Sequence, residues 1–432
     1  MKIGMVSLGC DKNRVDSEKL LARLIAAGHT VVPDESEADI VIINTCAFTE
    51  DAKNEAIDEI LAAAQAKTEG KKLIVTGCLP ERYMESLEEE FPEVDAFFGV
   101  ADYDEVADSI AKIENGDKIF CRGGGDAYYA GRVLTTPYHY AYLKIAEGCG
   151  NHCTYCAIPS IRGKYRSERE EDLVAEARTL ADDGVKELIL VAQDVTRYGI
   201  DIYGEPRLIP LVRKLVGLGF DRVRLMYLEP EMVDDALIAF VASEPGVCRY
   251  MDVPLQHIDS GVLKAMNRHT DEKTTRELVK KIKAAGITLR TSFISGFPGE
   301  SEEAHGKLKA FIEEAGIDFA GVFAYSREEG TAADRMRGHL PEKVKRQCAD
   351  ELREAQNRVM EANCAAAVGS VVRVLADGVD YDRQCFYGHT ERQTPVVDSV
   401  TYFESDGVIR TGEFYDVRIT GYDGIDLIGR TL

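Results

Sequence analysis

The chain has no run of eighteen apolar residues and no basic-then-apolar leader, so nothing in it points to export or to a membrane helix. A cytoplasmic protein with no membrane partner is expected. Positive charge is also scarce. Lys and Arg number 52 against 75 Asp and Glu, a net of -23, and residues 1–130 alone hold 13 basic and 27 acidic side chains. Such a surface repels a phosphate backbone and would steer a basic macromolecule, although acidity also serves plain solubility. Otherwise the composition, 45% hydrophobic and 29% charged over 432 residues, is that of a globular chain long enough for two or three domains.

Cysteine is what the chain has in number. In a reducing compartment eleven cysteines suggest metal or sulfur chemistry before disulfides. The count is odd, and seven of the eleven fall within the first 156 residues, unlike a uniform disulfide framework. Cys121, Cys248, Cys348, Cys364 and Cys385 read as structural or incidental.

Hydrophobic patterning divides the chain. Strands are expected at Lys2–Ser7, 39–44 and 72–76, with helices near 16–27, 50–64 and 81–90, a β-α rhythm that implies a parallel sheet. Gly123, Gly124 and Gly125 then interrupt it as a linker. Six more strand candidates, at 142–146, 187–191, 222–226, 249–253, 288–293 and 319–323, alternate with helices and predict a partial (β/α)6 barrel with its chemistry at the C-terminal strand ends. A long helix over 341–366 leads into a Val-, Tyr-, Thr- and Gly-rich tail that reads as a small all-β barrel.

The sharpest motif is Cys149-Gly-Asn-His-Cys153-Thr-Tyr-Cys156, directly after the first barrel strand. Three thiolates on one loop can hold three irons of a cubane cluster and leave the fourth iron open to a chelating ligand. His152 keeps a zinc site open as the alternative, but no second short ligand pair stands nearby. The loop and its placement resemble the radical S-adenosylmethionine superfamily. That resemblance implies that Cys149, Cys153 and Cys156 hold a four-iron, four-sulfur cluster and that cleavage of S-adenosylmethionine yields a 5'-deoxyadenosyl radical. Gln193, Gln256, Arg290 and Gly296, at or near later strand ends, are candidate contacts for S-adenosylmethionine. Gly296–Glu300 reads equally as an ordinary strand-to-helix turn. The superfamily's glycine-and-acid element is replaced by Val191-Ala-Gln193-Asp194, which leaves the methionine amino contact unassigned.

Cys10, Cys46 and Cys78 each follow a strand candidate of the first segment, in Ser7-Leu-Gly-Cys10, Asn44-Thr-Cys46 and Thr76-Gly-Cys78. Parallel β-α units bring such ends to one edge, so the three thiols can converge; chance burial of small hydrophobic side chains is the bland alternative. The two cysteine triads together resemble the methylthiotransferase family of that superfamily. The resemblance covers essentially the whole chain. It implies an N-terminal methylthiotransferase domain over 1–120, a linker over 121–134, the radical domain over 135–367 and a TRAM domain over 368–432. It also implies a second four-iron cluster on Cys10, Cys46 and Cys78, and S-adenosylmethionine as both radical source and methyl donor.

Further motifs are similar to the branch that modifies an aspartate β-carbon of ribosomal protein S-12. They are Ser7–Glu18, Thr76–Arg82, Pro159–Ser167, Pro254–His257 and Tyr325–Thr331. Glu168 and Glu229 depart from the family pattern. Residues 368–432 carry six Arg, no Lys and eleven acids, which suits a basic protein better than RNA. The implied partners are S-12, free or in the small ribosomal subunit, and a low-potential electron donor such as flavodoxin or ferredoxin, with nucleic-acid binding weak or only through the ribosome. A transfer-RNA methylthiotransferase is the alternative enzyme, and a non-catalytic iron–sulfur electron carrier or ribosome-binding protein the alternative of another class.

Overall fold

The computed structural model of the chain describes residues 1–100, 103–122 and 131–432; the glycines expected as a linker lie outside them. The first segment is a six-stranded sheet with every pair parallel, ordered β2-β1-β3-β4-β5-β6. Its strands are β1 (Lys2–Ser7), β2 (Thr30–Val31), β3 (Ile40–Thr45), β4 (Lys72–Gly77), β5 (Ala96–Phe98) and β6 (Ile119–Cys121). Helices α1 (Asp11–Ala26), α2 (Glu50–Ala66), α3 (Cys78–Glu90) and α4 (Tyr103–Glu114) connect them. β3 and β4 are apolar almost throughout, because helices cover both faces of a parallel sheet. Thr49 caps α2 by accepting from the Ala52 N–H.

The second segment is the expected partial barrel. Strands β7 (Tyr140–Lys144), β10 (Glu187–Val191) and β11 (Arg222–Leu225) form one parallel sheet, and β12 (Tyr250–Asp252), β13 (Thr288–Ser295) and β14 (Phe319–Ala324) another. A bridge between Val223 and Val247 joins them and leaves β7 and β14 as the two edges. A short antiparallel pair, β8 (Ala146–Glu147) and β9 (Arg166–Ser167), brackets the cysteine loop. Between strands run α5 (Ile158–Ile161), α6 (Glu170–Asp182), α7 (Ile200–Tyr203), α8 (Leu208–Val216), α9 (Asp235–Ser243), α10 (Ser260–Ala265), α11 (Glu272–Ala284) and α12 (Glu302–Ala315). Strand alternation separates two layers. Ala141, Leu143, Leu188, Leu190, Val223 and Leu225 pack outward on the helices, while Tyr140, Tyr142, Ile189, Val191, Met226 and Tyr250 fill the interior. Val15 of α1 joins the interior cluster, so the first segment packs directly on the barrel.

The N-terminal segment touches both barrel edges. α1 lies against β7, while Arg82 and Lys53 reach Glu328, beyond β14, at 2.7 and 3.1 Å. It therefore spans the gap between the edges.

Helix α13 (Glu342–Ala367) leads to a closed five-stranded barrel, ordered β15-β16-β17-β19-β18. The strands are β15 (Val371–Asp380), β16 (Cys385–Thr390), β17 (Thr401–Glu404), β18 (Phe414–Asp423) and β19 (Asp426–Thr431). It closes on Val374, Ala376, Phe403, Val417 and Ile419. This barrel docks at the starts of the central strands: the Arg222 and Arg224 guanidinium groups donate to the carbonyls of Arg373 and Glu391 at 2.7 and 2.9 Å. Among the described residues no helix is long and apolar enough to cross a membrane.

Candidate iron–sulfur and S-adenosylmethionine site

The turn between β1 and α1 delivers Cys10, the end of β3 delivers Cys46, and Cys78 opens α3 directly after β4. The packing is tight enough to need glycine. Gly9 sits at φ +84°, and a Cβ there would lie 2.6 Å from the Cys46 Cβ. Asn13 ties the three segments together. Its amide donates to the carbonyls of Leu8 and Thr45 at 3.1 and 2.9 Å, and its oxygen accepts from the Cys78 thiol at 3.8 Å. Burial pushes the Cys46 thiol up to about 12, and the neighbouring Cys78 and Cys10 add to the shift. The Cys78 thiol is raised mainly by burial, opposed by Arg162.

Cys149, Cys153 and Cys156 occupy the loop after β8. The Cys149 N–H donates to the Gly163 carbonyl at 3.2 Å, and Gly148 has no room for a side chain, since a Cβ would meet the Lys164 carbonyl oxygen at 2.2 Å. Thr154 fastens the loop to the end of α10 through the carbonyls of Met266 and Ala265. Burial raises the Cys149 thiol to about 11 and Cys156 to about 12. Buried thiols of this kind ionise against a bound cation, so both donor sets suit iron. Among the described residues no three or more His, Cys, Asp and Glu side chains close on a single ion; ligands to separate iron corners of one cluster stand wider apart than ligands sharing one ion.

The segment that carries Cys10 touches a strand end of the central barrel. Tyr227, just past β11, donates from its hydroxyl to Asp11 at 3.2 Å, and Lys12 lies 3.3 Å above its ring. On the other side Asn151 donates to Glu229 and Asp194 at 3.2 and 3.4 Å, while Arg268 approaches the two Glu229 oxygens at 2.5 and 3.2 Å and the Cys153 sulfur at 3.7 Å. Burial lifts the Glu229 carboxyl to about 7, against the opposing pull of Arg268. His152, Tyr227, Gln256 and Asn267 all adopt positive φ here, four of the six non-glycine residues that do so among the described residues. Such strain concentrates where surrounding structure holds a site in place.

Between the triads lies a buried ionic junction. The Arg162 guanidinium reaches Asp16 at 2.7 Å, Glu147 at 2.9 Å and the Cys78 sulfur at 3.5 Å, and also donates to Asn13. Lys144 pairs with Asp16 and, at 2.7 Å, with Glu147. The other Glu147 oxygen accepts from the Gln193 amide at 2.9 Å.

The sequence candidates for the cofactor therefore separate. Gln193 stands in this junction, and its Oε1 is buried without a hydrogen-bond partner, an acceptor that fits an N–H donor of S-adenosylmethionine. Gln256 lies at the strained rim, held by backbone bonds to Ser292 and Ile294. Arg290 lies deeper, held between Asp252 at 2.9 Å and Asp398 of the tail barrel at 3.3 Å. Gly296 is closely approached by Lys345 of α13, and Glu300 caps the turn by accepting from the Gly296 and Phe297 N–H groups at 2.6 and 3.1 Å. Sequence reasoning gave no role to Asn13, Glu147, Arg162 or Arg268. Asn13 and Arg162 belong to motifs quoted for their branch resemblance; Glu147 and Arg268 carry no local signal, because their partners are far along the chain.

Three family profiles match: "Uncharacterized protein family UPF0004" over residues 2–99, the radical SAM superfamily over 143–312 and the TRAM domain over 368–432. The chain is 44% identical to the ribosomal protein uS12 methylthiotransferase RimO of Clostridium tetani, over 99% of this chain and 98% of that protein. It is also 44% identical to the proteins of the same name from Pelotomaculum thermopropionicum and Elusimicrobium minutum, covering 100% of this chain in each case and 99% and 100% of those proteins. Among solved structures it resembles the radical S-adenosylmethionine methyltransferase TsrM of Kitasatospora setae, with a TM-score of 0.55 at 14% identity over 75% of this chain and 73% of that one. That likeness concerns the fold. The chain belongs to the RimO family of radical S-adenosylmethionine methylthiotransferases.

Proposed function

We propose that this family member transfers a methylthio group to the β-carbon of an aspartate in ribosomal protein S-12. In this reading residues 1–120, 135–367 and 368–432 are the working domains, joined by 121–134. Cys10, Cys46 and Cys78 hold an auxiliary four-iron cluster, and Cys149, Cys153 and Cys156 hold the radical-generating one. What supports it most is that the two cysteine segments meet: Arg162, just after the central cysteine loop, reaches the Cys78 sulfur at 3.5 Å, and Tyr227, just past β11, bonds to Asp11 beside Cys10. When bound, the clusters supply the electron that splits S-adenosylmethionine to a 5'-deoxyadenosyl radical and the sulfur for transfer.

The chain's own side chains supply the positioning. Gln193, oriented by Glu147, offers its free Oε1 to the cofactor. Arg268 and Asn151 hold Glu229 and Asp194 beside the loop, where carboxylates suit the methionine ammonium. Asn13 fixes the three N-terminal segments relative to one another. α1 packs on Tyr227 and the barrel interior, a cover that helps a reactive carbon formed there meet its trap before water does. An electron donor of the flavodoxin or ferredoxin class and a cytoplasmic setting complete the reading, with the -5 balance of residues 368–432 favouring the basic S-12.

The test is an anaerobic assay of the reconstituted protein with S-12 and, in parallel, with modified transfer RNA, read by mass spectrometry. A methylthio group on the S-12 aspartate is expected. Modification of the RNA alone would replace the substrate assignment, and absence of 5'-deoxyadenosine from a loaded, reduced protein would remove the radical chemistry.

A further inference from the structure

Arg162 lies on the short stretch that returns from the cysteine loop to β9, so it belongs to the central domain; yet one of its nitrogens points at a cysteine of the N-terminal triad. We propose that Arg162 is a positioning residue that raises the reduction potential of the cluster on Cys10, Cys46 and Cys78, by donating a charge-assisted hydrogen bond to the Cys78 thiolate. This rests on the ligand reading given under Proposed function.

Three observations support it. The Nη2 to Sγ distance is 3.5 Å, within reach of a hydrogen bond to sulfur. The side chain is only 2% exposed, where water does little to weaken its field. The guanidinium is also a fixed cation, always a donor and never an acceptor. Hydrogen bonds to cluster sulfurs and the local net charge set an iron–sulfur potential. A buried cation directed at a ligand sulfur favours the form with one more electron, so it draws the potential upward.

A second role is visible in the same contacts: Arg162 neutralises Asp16 and Glu147, which are themselves buried. A residue serving only that end would stabilise the fold and leave the potential alone. Asp16 separates the two roles. It contacts Arg162 and Lys144. Removing its negative charge should move the potential opposite to removal of the Arg162 charge, whereas simple loosening would move both the same way.

The experiment is a redox titration of the full-length, anaerobically reconstituted protein. Dithionite supplies one electron per cluster through mediators, and electron paramagnetic resonance reads the reduced signal that S-adenosylmethionine leaves unchanged. Arg162→Gln should shift that midpoint negative, Arg162→Lys should restore most of the shift, and Asp16→Asn should move it positive. Equal midpoints in wild type and Arg162→Gln at equal iron content would overturn the proposal, as would a shift of Arg162→Gln and Asp16→Asn in the same direction. If Arg162→Gln does not hold iron, Asp16→Asn decides, and an unmoved midpoint there overturns it. Iron for one cluster only in the wild type would instead overturn the ligand reading itself, and this proposal with it.

Discussion

The carboxylate of Glu187 and the guanidinium of Arg224 meet at 2.7 Å with neither side chain exposed. Both lie in the lower part of the central barrel, where the tail barrel docks. Arg224 donates onward to the carbonyls of Glu391 and Thr390, and His389 approaches Glu187 at 3.2 Å and Asp377 at 2.7 Å. Taking one partner from a buried pair leaves the other charge uncompensated, at a cost of roughly 3–5 kcal/mol. Glu187→Ala is expected to lower stability by about that amount, read as a lower denaturant midpoint, with the tail barrel loosened.

The same junction should make stability depend on pH. Burial opposes charge on His389, but Glu187 and Asp377 outweigh it and raise its pKa above 6.5. Burial likewise opposes charge on Glu187, yet Arg224, His389 and Arg222 hold its carboxyl well below 4.5. The His389 contribution is complete below 6.5 and is lost as pH climbs through its raised folded value, while that of Glu187 is complete above 4.5 and is lost as pH falls through its lowered one. Both are fully present between 4.5 and 6.5. The melting temperature should therefore decline on the alkaline side of that window, and His389→Gln should flatten the decline. A wild-type profile that rises there instead would contradict this.

Deleting residues 368–432 is consequently a poor probe of substrate capture, because it strips partners from Arg222, Arg224 and Arg290. Charge reversal at exposed acids is cleaner. Asp382→Lys and Asp406→Lys should each weaken S-12 binding by roughly 0.2–1 kcal/mol, up to about fivefold, and reduce its salt dependence. Cleavage of S-adenosylmethionine should not change. Tighter S-12 binding by these variants would remove charge steering from the account.

Replacing Cys149, Cys153 and Cys156 with Ala should abolish 5'-deoxyadenosine formation and leave the iron of one cluster. Replacing Cys10, Cys46 and Cys78 should leave some 5'-deoxyadenosine but no methylthiolated S-12. Iron quantitation and mass spectrometry check the pair, and complete loss of iron in either variant would show that the sites are not independent.

A smaller change probes the same triad. Gly9→Ala places a methyl group 2.6 Å from the Cys46 Cβ at a backbone angle that L residues avoid. It should lower the iron content toward one cluster while the central loop still binds S-adenosylmethionine.

Much of this architecture was legible in the chain. Apolar runs located β1 and β10 to the residue, and the cysteines after β1, β3 and β4 could be grouped because parallel strands share an edge. α1 was not read correctly: expected to begin at Asp16, it begins at Asp11. Its first turns are polar, and Lys12, Asn13, Asp16, Ser17, Glu18 and Lys19 are all buried, Asn13 and Ser17 against the N-terminal sheet and Asp16 against Lys144 and Arg162 of the central domain, so hydrophobic periodicity reports as solvent-exposed what is covered. The tail is legible only as a small all-β barrel and not strand by strand, since strands such as β16 and β19 mix glycine and polar residues with few apolar ones. The cysteines could be found because one residue type carries their chemistry. The junction of Arg162, Asp16 and Glu147 could not, because it exists only once domains far apart in sequence have docked.

The tail barrel stoppers the lower end of the central barrel, and the N-terminal domain bridges its open seam. A protein substrate would then have to reach the C-terminal strand ends from the side left uncovered. A side chain on a helix face or in mid-sheet would be stopped by its own neighbours, while one at the apex of a slender hairpin could be lowered in. Shape would thus act as a sieve alongside charge, and moving the target aspartate to a broad, flat surface of S-12 should abolish its modification even where the overall basic charge is kept.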